Sequence, residues 1–116
     1  MVGFKELLAW QKGYELALEI YKTTNHFPKE EKYGMISQIR RAAISVSANV
    51  AEGYEKQYKK EYVRFLYISK GSLGEVQTYL MLAKDLGYIQ NEAFNKLFDL
   101  SKDVARLLRG LIKYLS

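Results

Sequence analysis

The sequence has no cysteine, a single histidine and a single proline among its 116 residues. Without cysteine there is no disulfide framework, no thiolate nucleophile and no sulfur-ligated zinc, and a reducing cytoplasm is the expected compartment. The lone histidine, His26, stands just ahead of Phe27 and Pro28. It offers a zinc site one imidazole and a Ser-His-Asp triad one loop position. No arginine precedes it, which disfavours the arginine-spacer-histidine pattern of an all-α ribonuclease. Long apolar runs are missing too. The longest stretch without charge, Ala42 to Ala51, is about half of what a bilayer-crossing helix needs, so a buried helix is expected and a membrane partner is not. The opening MVGFKELLAW sets Lys5 and Glu6 before a short apolar run and lacks the h-region of a signal peptide.

Catalytic patterns are equally scarce. KGSLGE lacks the Gly-Lys-Ser/Thr ending of a phosphate loop and falls inside a helical pattern, so its glycines, Gly71 and Gly74, are assigned to close helix approach. Glu30, Glu31, Asp99 and Asp103 have no metal-ligand spacing, and Glu52 alone makes no acid–base pair. The expectation is a protein without catalysis, cofactor or metal.

What is present is a chain that is 48% hydrophobic and 27% charged, with ten tyrosines and a formal net charge of +5. Such a chain folds as one domain over 1–116 and buries about two thirds of its unfolded surface. The positive balance favours a polyanion such as RNA or DNA.

Breaks at HFPKEEKYG, EGYEKQYK and LGYIQN divide the chain into four segments. In the first, Leu7, Trp10, Tyr14, Ala17, Tyr21 and Thr24 step by three and four. The third repeats this through Tyr62, Leu66, Ser69, Leu73, Val76, Leu80 and Ala83, and the fourth through Phe94, Leu97, Ser101, Val104, Leu108, Leu111 and Leu115, with Asn91 as a candidate N-cap. No segment alternates with the period of a strand. Helices of about 20 to 28 residues, some 30 to 40 Å long, joined by short connections predict an all-α, antiparallel up-down four-helix bundle.

The second segment, SQIRRAAISVSANVAEG, differs from the others. A helical wheel gathers Met35, Ile39, Ala42, Ala43, Val46 and Val50 on a core arc and Gln38, Arg41, Ser45, Asn49 and Glu52 on a polar stripe. That stripe reads as a hydrogen-bond network in which Arg41 faces Glu52 or another helix's carboxylate, as a phosphate- or base-binding surface, or as a subunit contact. Ile44, Ala48 and Ala51 lie on a further side. One small bundle has too few faces to cover so uncharged a helix all round, so these three are candidate contacts of a homo-oligomer, unless they pack beneath the first or third helix.

In YEKQYKKEYVR, Lys56, Lys60 and Arg64 are spaced by four, with Lys59 alongside. Like charges on one helical face near an N-terminus oppose helix formation, and an anion would reverse the penalty. Tyr54, Tyr58 and Tyr62 offer stacking faces for unpaired bases, or else core or interface contacts. Candidate phosphate contacts are therefore Lys56, Lys59, Lys60 and Arg64, with Arg40 and Arg41 behind them. Solubility accounts for Arg106, Arg109 and Lys113.

The run QIRRAAISVSANVAEG, with LAWQKGYELALEIYKTTNHFPKEEKYG before it and FLYISKGSLGE and LGYI after it, resembles the 23S ribosomal RNA intervening-sequence proteins over nearly the whole chain. The densest motif joins Arg40 and Arg41 to Asn49, Ala51, Glu52 and Gly53. The chain is also similar to the accessory variability proteins of diversity-generating retroelements. The resemblance implies a basic four-helix bundle assembled as a homopentameric ring, no established enzymatic activity, and association with nucleic acid or, as the alternative, an adaptor role docking a partner enzyme such as a reverse transcriptase. Ser47 stands where members often have proline, so a kink in the second helix is not carried over.

Overall fold

In a computed structural model that describes residues 3–116, the chain forms helices α1 (Leu8–Thr24), α2 (Met35–Tyr54), α3 (Lys59–Asp85) and α4 (Asn91–Leu115). Short 3₁₀ turns span Gly3–Glu6 and Lys29–Glu31, and the described residues contain no strand. Each helix packs on the next in sequence, and α4 closes back on α1. Cross-helix contacts give the directions. Thr24, at the end of α1, meets Arg40 early in α2; Ser45 of α2 meets Ser72 of α3; Gln77 of α3 meets Ser101 of α4. All neighbours run antiparallel in a bundle of 43 × 24 × 24 Å.

The arcs expected for α2 and α3 form the core. Met35, Ile39, Ala42, Ala43, Val46 and Val50 are buried, as are Leu66, Ser69, Leu73, Val76, Leu80 and Ala83. Fully burying each large aliphatic contributes about 1.5–3 kcal/mol. In α4 the stripe holds through Leu108, after which Ile112 turns inward and Leu111 and Leu115 are half-buried.

The first stripe needs correcting in part: Ala17 and Thr24 are buried as expected and Leu7 and Trp10 are half-buried, but Tyr14 and Tyr21 are not in the core. Ala9, Gly13, Leu16, Ala17, Ile20 and Thr24 face the core, while Tyr14 and Tyr21 are exposed. Small residues win the inner face because α1 and α2 lie close: a Cβ at Gly13 would sit 3.3 Å from Val46 Cγ1. At the edge of the core Trp10 stacks on Tyr14, ring centroids 5.0 Å apart, and Phe4 lies tilted against Trp10 at 5.3 Å.

Buried hydroxyls tie α2 to its neighbours. Ser69 Oγ donates to the Val46 carbonyl at 2.6 Å, Ser45 and Ser72 share a 2.8 Å hydrogen bond, and Thr24 Oγ1 donates to Ile20 O at 2.8 Å. Each bond satisfies a polar group that would be costly to bury alone. Ser47, also buried, sits in an unbroken helix.

The break expected in EGYEKQYK is there, at residues 55–58, but Gly53 does not make it, since α2 runs on to Tyr54. Gly53 is there because α3 crosses it: a Cβ would approach Phe65 Cβ and Tyr62 O to 3.0 Å. At the far end of α3, Gly87 has φ +80°, its N–H donates to Lys84 O, and Tyr88 N–H donates to Ala83 O, the paired bonds of a Schellman stop. Helix α4 then begins at Asn91 itself, so Asn91 is not the cap. The extended Gln90 occupies that position without a side-chain bond.

The two connections at this end are latched. Tyr88 Oη donates to Glu31 Oε2 at 3.0 Å, and Glu31 Oε1 accepts Met35 N–H at 3.1 Å, satisfying one free donor at the start of α2. The hydrogen bond to Glu31, then burial, then the Glu31 and Glu30 charges, raise the Tyr88 pKa above its ordinary 10.0. The latch contribution is therefore complete below pH 10 and is lost as pH rises through the raised value.

Two tests follow from this packing. Gly53→Ala should destabilise by about 1–3 kcal/mol, whereas Gly110→Ala, at an open helical position, should stabilise by about 0.5–1 kcal/mol; urea midpoints distinguish them. The midpoint gap between the parent chain and Tyr88→Phe should hold to about pH 9 and shrink above pH 10 as the phenol ionises.

Candidate functional site

The α2–α3 corner gathers the basic residues, though not as one helical face. Lys56 lies in the connection before α3, so only Lys60 and Arg64 share the expected spacing on the helix. What brings Lys56 to Arg64 is Phe65: Lys56 Nζ lies 5.0 Å and Arg64 Cζ 4.8 Å from its ring centroid. The ring's negative face holds both cations. Carboxylates temper them, with Lys56–Glu52 at 3.8 Å and Arg64–Glu61 at 3.6 Å. Both pairs are exposed and contribute little.

Lys59 and Lys60 are different. They open α3, are exposed, and enter no ion pair among the described residues. Tyr58 precedes them in an extended conformation with no side-chain cap, so the first N–H groups of α3 face outward with two free ammonium groups. Tyr58 is 66% exposed, while Tyr54 and Tyr62 meet edge to face at 6.1 Å. Burial first, and Tyr54 second, raise the Tyr62 pKa. Of the three tyrosines, Tyr58 presents the freest ring.

Arg40 and Arg41 part company. Arg40 crosses to the end of α1, donating to Thr24 Oγ1 at 2.8 Å, Tyr21 O at 3.2 Å and Asn25 Oδ1 at 3.0 Å, with its guanidinium 4.5 Å from the Tyr21 ring centroid. It caps the carbonyl end of α1, where a cation suits the dipole, and these bonds engage three of its five N–H donors. Arg41 is exposed and free of ion pairs among the described residues, so the pairing expected with Glu52 does not form; Glu52 faces Lys56 instead. The polar stripe is thus split. Asn49 Nδ2 donates to Ser45 O and Oγ, both at 2.8 Å, Ser45 joins Ser72, and Gln38 points to solvent.

Ile44 is 46% exposed, Ala48 is exposed and Ala51 half-buried, so neither α1 nor α3 covers them. An open groove of about 400 Å³ lies between Tyr21, Ser37, Arg40, Arg41 and Ile44, and another of about 380 Å³ between Phe4, Ala48, Ala51, Glu52, Glu55 and Lys56. The exposed rings of α1 extend this flank. Sequence reasoning missed them because it placed Tyr14 and Tyr21 in the core. It missed Phe65 as well, which lies between the core and polar arcs; the available signal was an aromatic directly after Arg64.

Because Arg40 is held by three oxygens, Arg40→Lys should lower stability by about 1–3 kcal/mol with little dependence on salt. A thermal melt checks this, since a residue serving only an outside phosphate would leave the melt unchanged.

Comparison with solved structures gives a protein of unknown function from the S23 ribosomal protein family of Bacteroides thetaiotaomicron, 26% identical, with a TM-score of 0.84 over 91% of this chain and 96% of that one. No curated protein matches. The family model described as 23S rRNA-intervening sequence protein matches residues 5–110, and with that coverage and the shared bundle the chain belongs to this family.

Proposed function

We propose that the protein is a non-catalytic, nucleic-acid-associated bundle that works as a homo-oligomeric ring. The observation that carries the reading is the corner where Lys59 and Lys60, without an ion pair among the described residues, stand at the open start of α3 beside the Lys56–Phe65–Arg64 cluster. Phosphate oxygens fit such a corner electrostatically, and Tyr58 offers a face for an unpaired base. The exposed apolar flank of α1 and α2 supports self-association, and repetition around a ring lets weak contacts add. The family's name ties it to intervening sequences of 23S rRNA, which makes RNA the first nucleic acid to try.

Arg41 stands in this reading as an exposed cation, and Arg40, engaged at the end of α1 through Nε and Nη2, as a secondary one. No helix of the described residues is long and apolar enough to cross a membrane, and membranes have no part in the proposal.

Fluorescence anisotropy with a structured RNA and a single-stranded DNA tests it. If about five phosphates are neutralised, log affinity should fall against log salt with a slope near −4. The Lys59→Ala/Lys60→Ala variant should lose at least about tenfold in affinity and show a shallower slope. Binding that ignores both changes would defeat the reading and leave an adaptor role, with the basic corner serving solubility.

A further inference from the structure

The connection between α1 and α2 borders a second opening, at the other end of α2 from Lys59 and Lys60 and so about 30 Å away. Its volume of about 450 Å³ lies in the range of small-molecule sites. The lining has three parts. Arg40 stands beside Thr24 and Asn25, Lys29 and Lys32 come from the 3₁₀ turn, and Phe27 and Ile36 make the apolar part. Phe27 is buried and Ile36 half-buried.

The first two parts are set in advance. Arg40 is fixed through Nε and Nη2 by Thr24 Oγ1, Tyr21 O and Asn25 Oδ1, which leaves the two N–H groups of Nη1 without an acceptor among the described residues. The turn is closed by Lys32 N–H donating to Lys29 O at 3.0 Å, and the Glu31 carboxylate within it is anchored by Tyr88 Oη and Met35 N–H. That anchoring also decides the charge. Glu31 is spent on Tyr88 and Met35, neither Glu30 nor Glu31 lines the opening, and Lys29, Lys32 and Arg40 enter no ion pair among the described residues. Three positive charges therefore share one opening with no carboxylate in its lining.

We infer that this opening binds a small organic phosphate, a monoester whose phosphate meets Lys29, Lys32 and Arg40 and whose apolar body lies on Phe27 and Ile36. A carboxylate would answer one of the three charges, whereas a monoester near neutral pH carries close to two and presents three acceptor oxygens. Inorganic phosphate would leave the apolar part wet. A site fixed before binding loses little to ordering, so a ligand of this size is enough to use it.

This inference is independent of the nucleic-acid reading, which rests on the opposite end of α2. Phenyl phosphate is the probe, followed by amide shifts in heteronuclear NMR. Saturable shifts should cluster at residues 24–40, with affinity at least about tenfold above that for benzoate and at least about threefold above that for inorganic phosphate. Lys29→Ala/Lys32→Ala should lose at least about tenfold while its thermal melt stays near the parent's, because both side chains are exposed. Ile36→Ala should weaken phenyl phosphate and leave inorganic phosphate unchanged. Lys59→Ala/Lys60→Ala should bind phenyl phosphate as the parent does, so loss of RNA binding in that variant and loss of this site are told apart. Shifts scattered over surface lysines, equal affinity for phenyl and inorganic phosphate, indifference to Lys29→Ala/Lys32→Ala, or shifts from a 5′-phosphorylated RNA strand with none from phenyl phosphate would each overturn it.

Discussion

The structure depends on the close approach of α2 to both of its neighbours. Gly13 lets α1 settle against Val46 and Ser47, and Gly53 admits Phe65 and Tyr62 of α3. Ala42 and Ala43 keep the inner face of α2 thin. Tight spacing decides where larger groups go. Tyr14 and Tyr21 are left on the outside, with Trp10 half-buried at the edge of the core and stacked on Tyr14, and Phe65 closes over Gly53 and becomes the ring on which Lys56 and Arg64 rest. The surface features of the protein are thus by-products of how closely its core helices pack.

Polar groups at these contacts fix register rather than add much net stability. Ser69 to Val46 and Ser45 to Ser72 set α3 on α2, and Arg40 sets α2 on the end of α1. Each bond exchanges a water partner for a protein partner and nets about 1 kcal/mol, but breaking one side leaves a desolvated group unmet. That asymmetry favours a single alignment of helices that small, smooth side chains would otherwise allow to slide.

The arcs of α2 and α3 were legible in the sequence because apolar and polar residues separate cleanly at helical spacing. The arc of α1 was legible only in part: Ala17 and Thr24 were placed correctly, but Ala9 and Gly13 carry less hydrophobic signal than the tyrosines, and Leu16 and Ile20 each lie within a residue or two of a tyrosine that fits the same spacing. Adjacency misled in the arginine pair: Arg40 and Arg41 are neighbours in the chain but about 100° apart on the helix, so one caps α1 and the other faces solvent. Lys56 was placed on α3 by spacing alone, and the helix begins three residues later, at Lys59. For Gly71 and Gly74 the pattern gave close helix approach, and the bundle makes none there: both positions are exposed, and a Cβ at either would meet no neighbouring helix within 4 Å.

In the proposed ring, net charge and assembly would be linked. Each copy carries a formal +5, so a ring of about five would concentrate roughly +25 and repel itself, the more so at low salt. Burial of the exposed apolar flank in such a ring would oppose that repulsion but would do nothing for Lys59 and Lys60 brought near their counterparts on the rim. A polyanion lying across the rim removes the repulsion at its source. Whatever free energy it thereby adds to assembly, assembly must add to its binding, because linkage between two equilibria is reciprocal. On this reading the net charge works against the free ring and in favour of the occupied one, and the same lysines that weaken association in dilute salt are those through which nucleic acid would strengthen it.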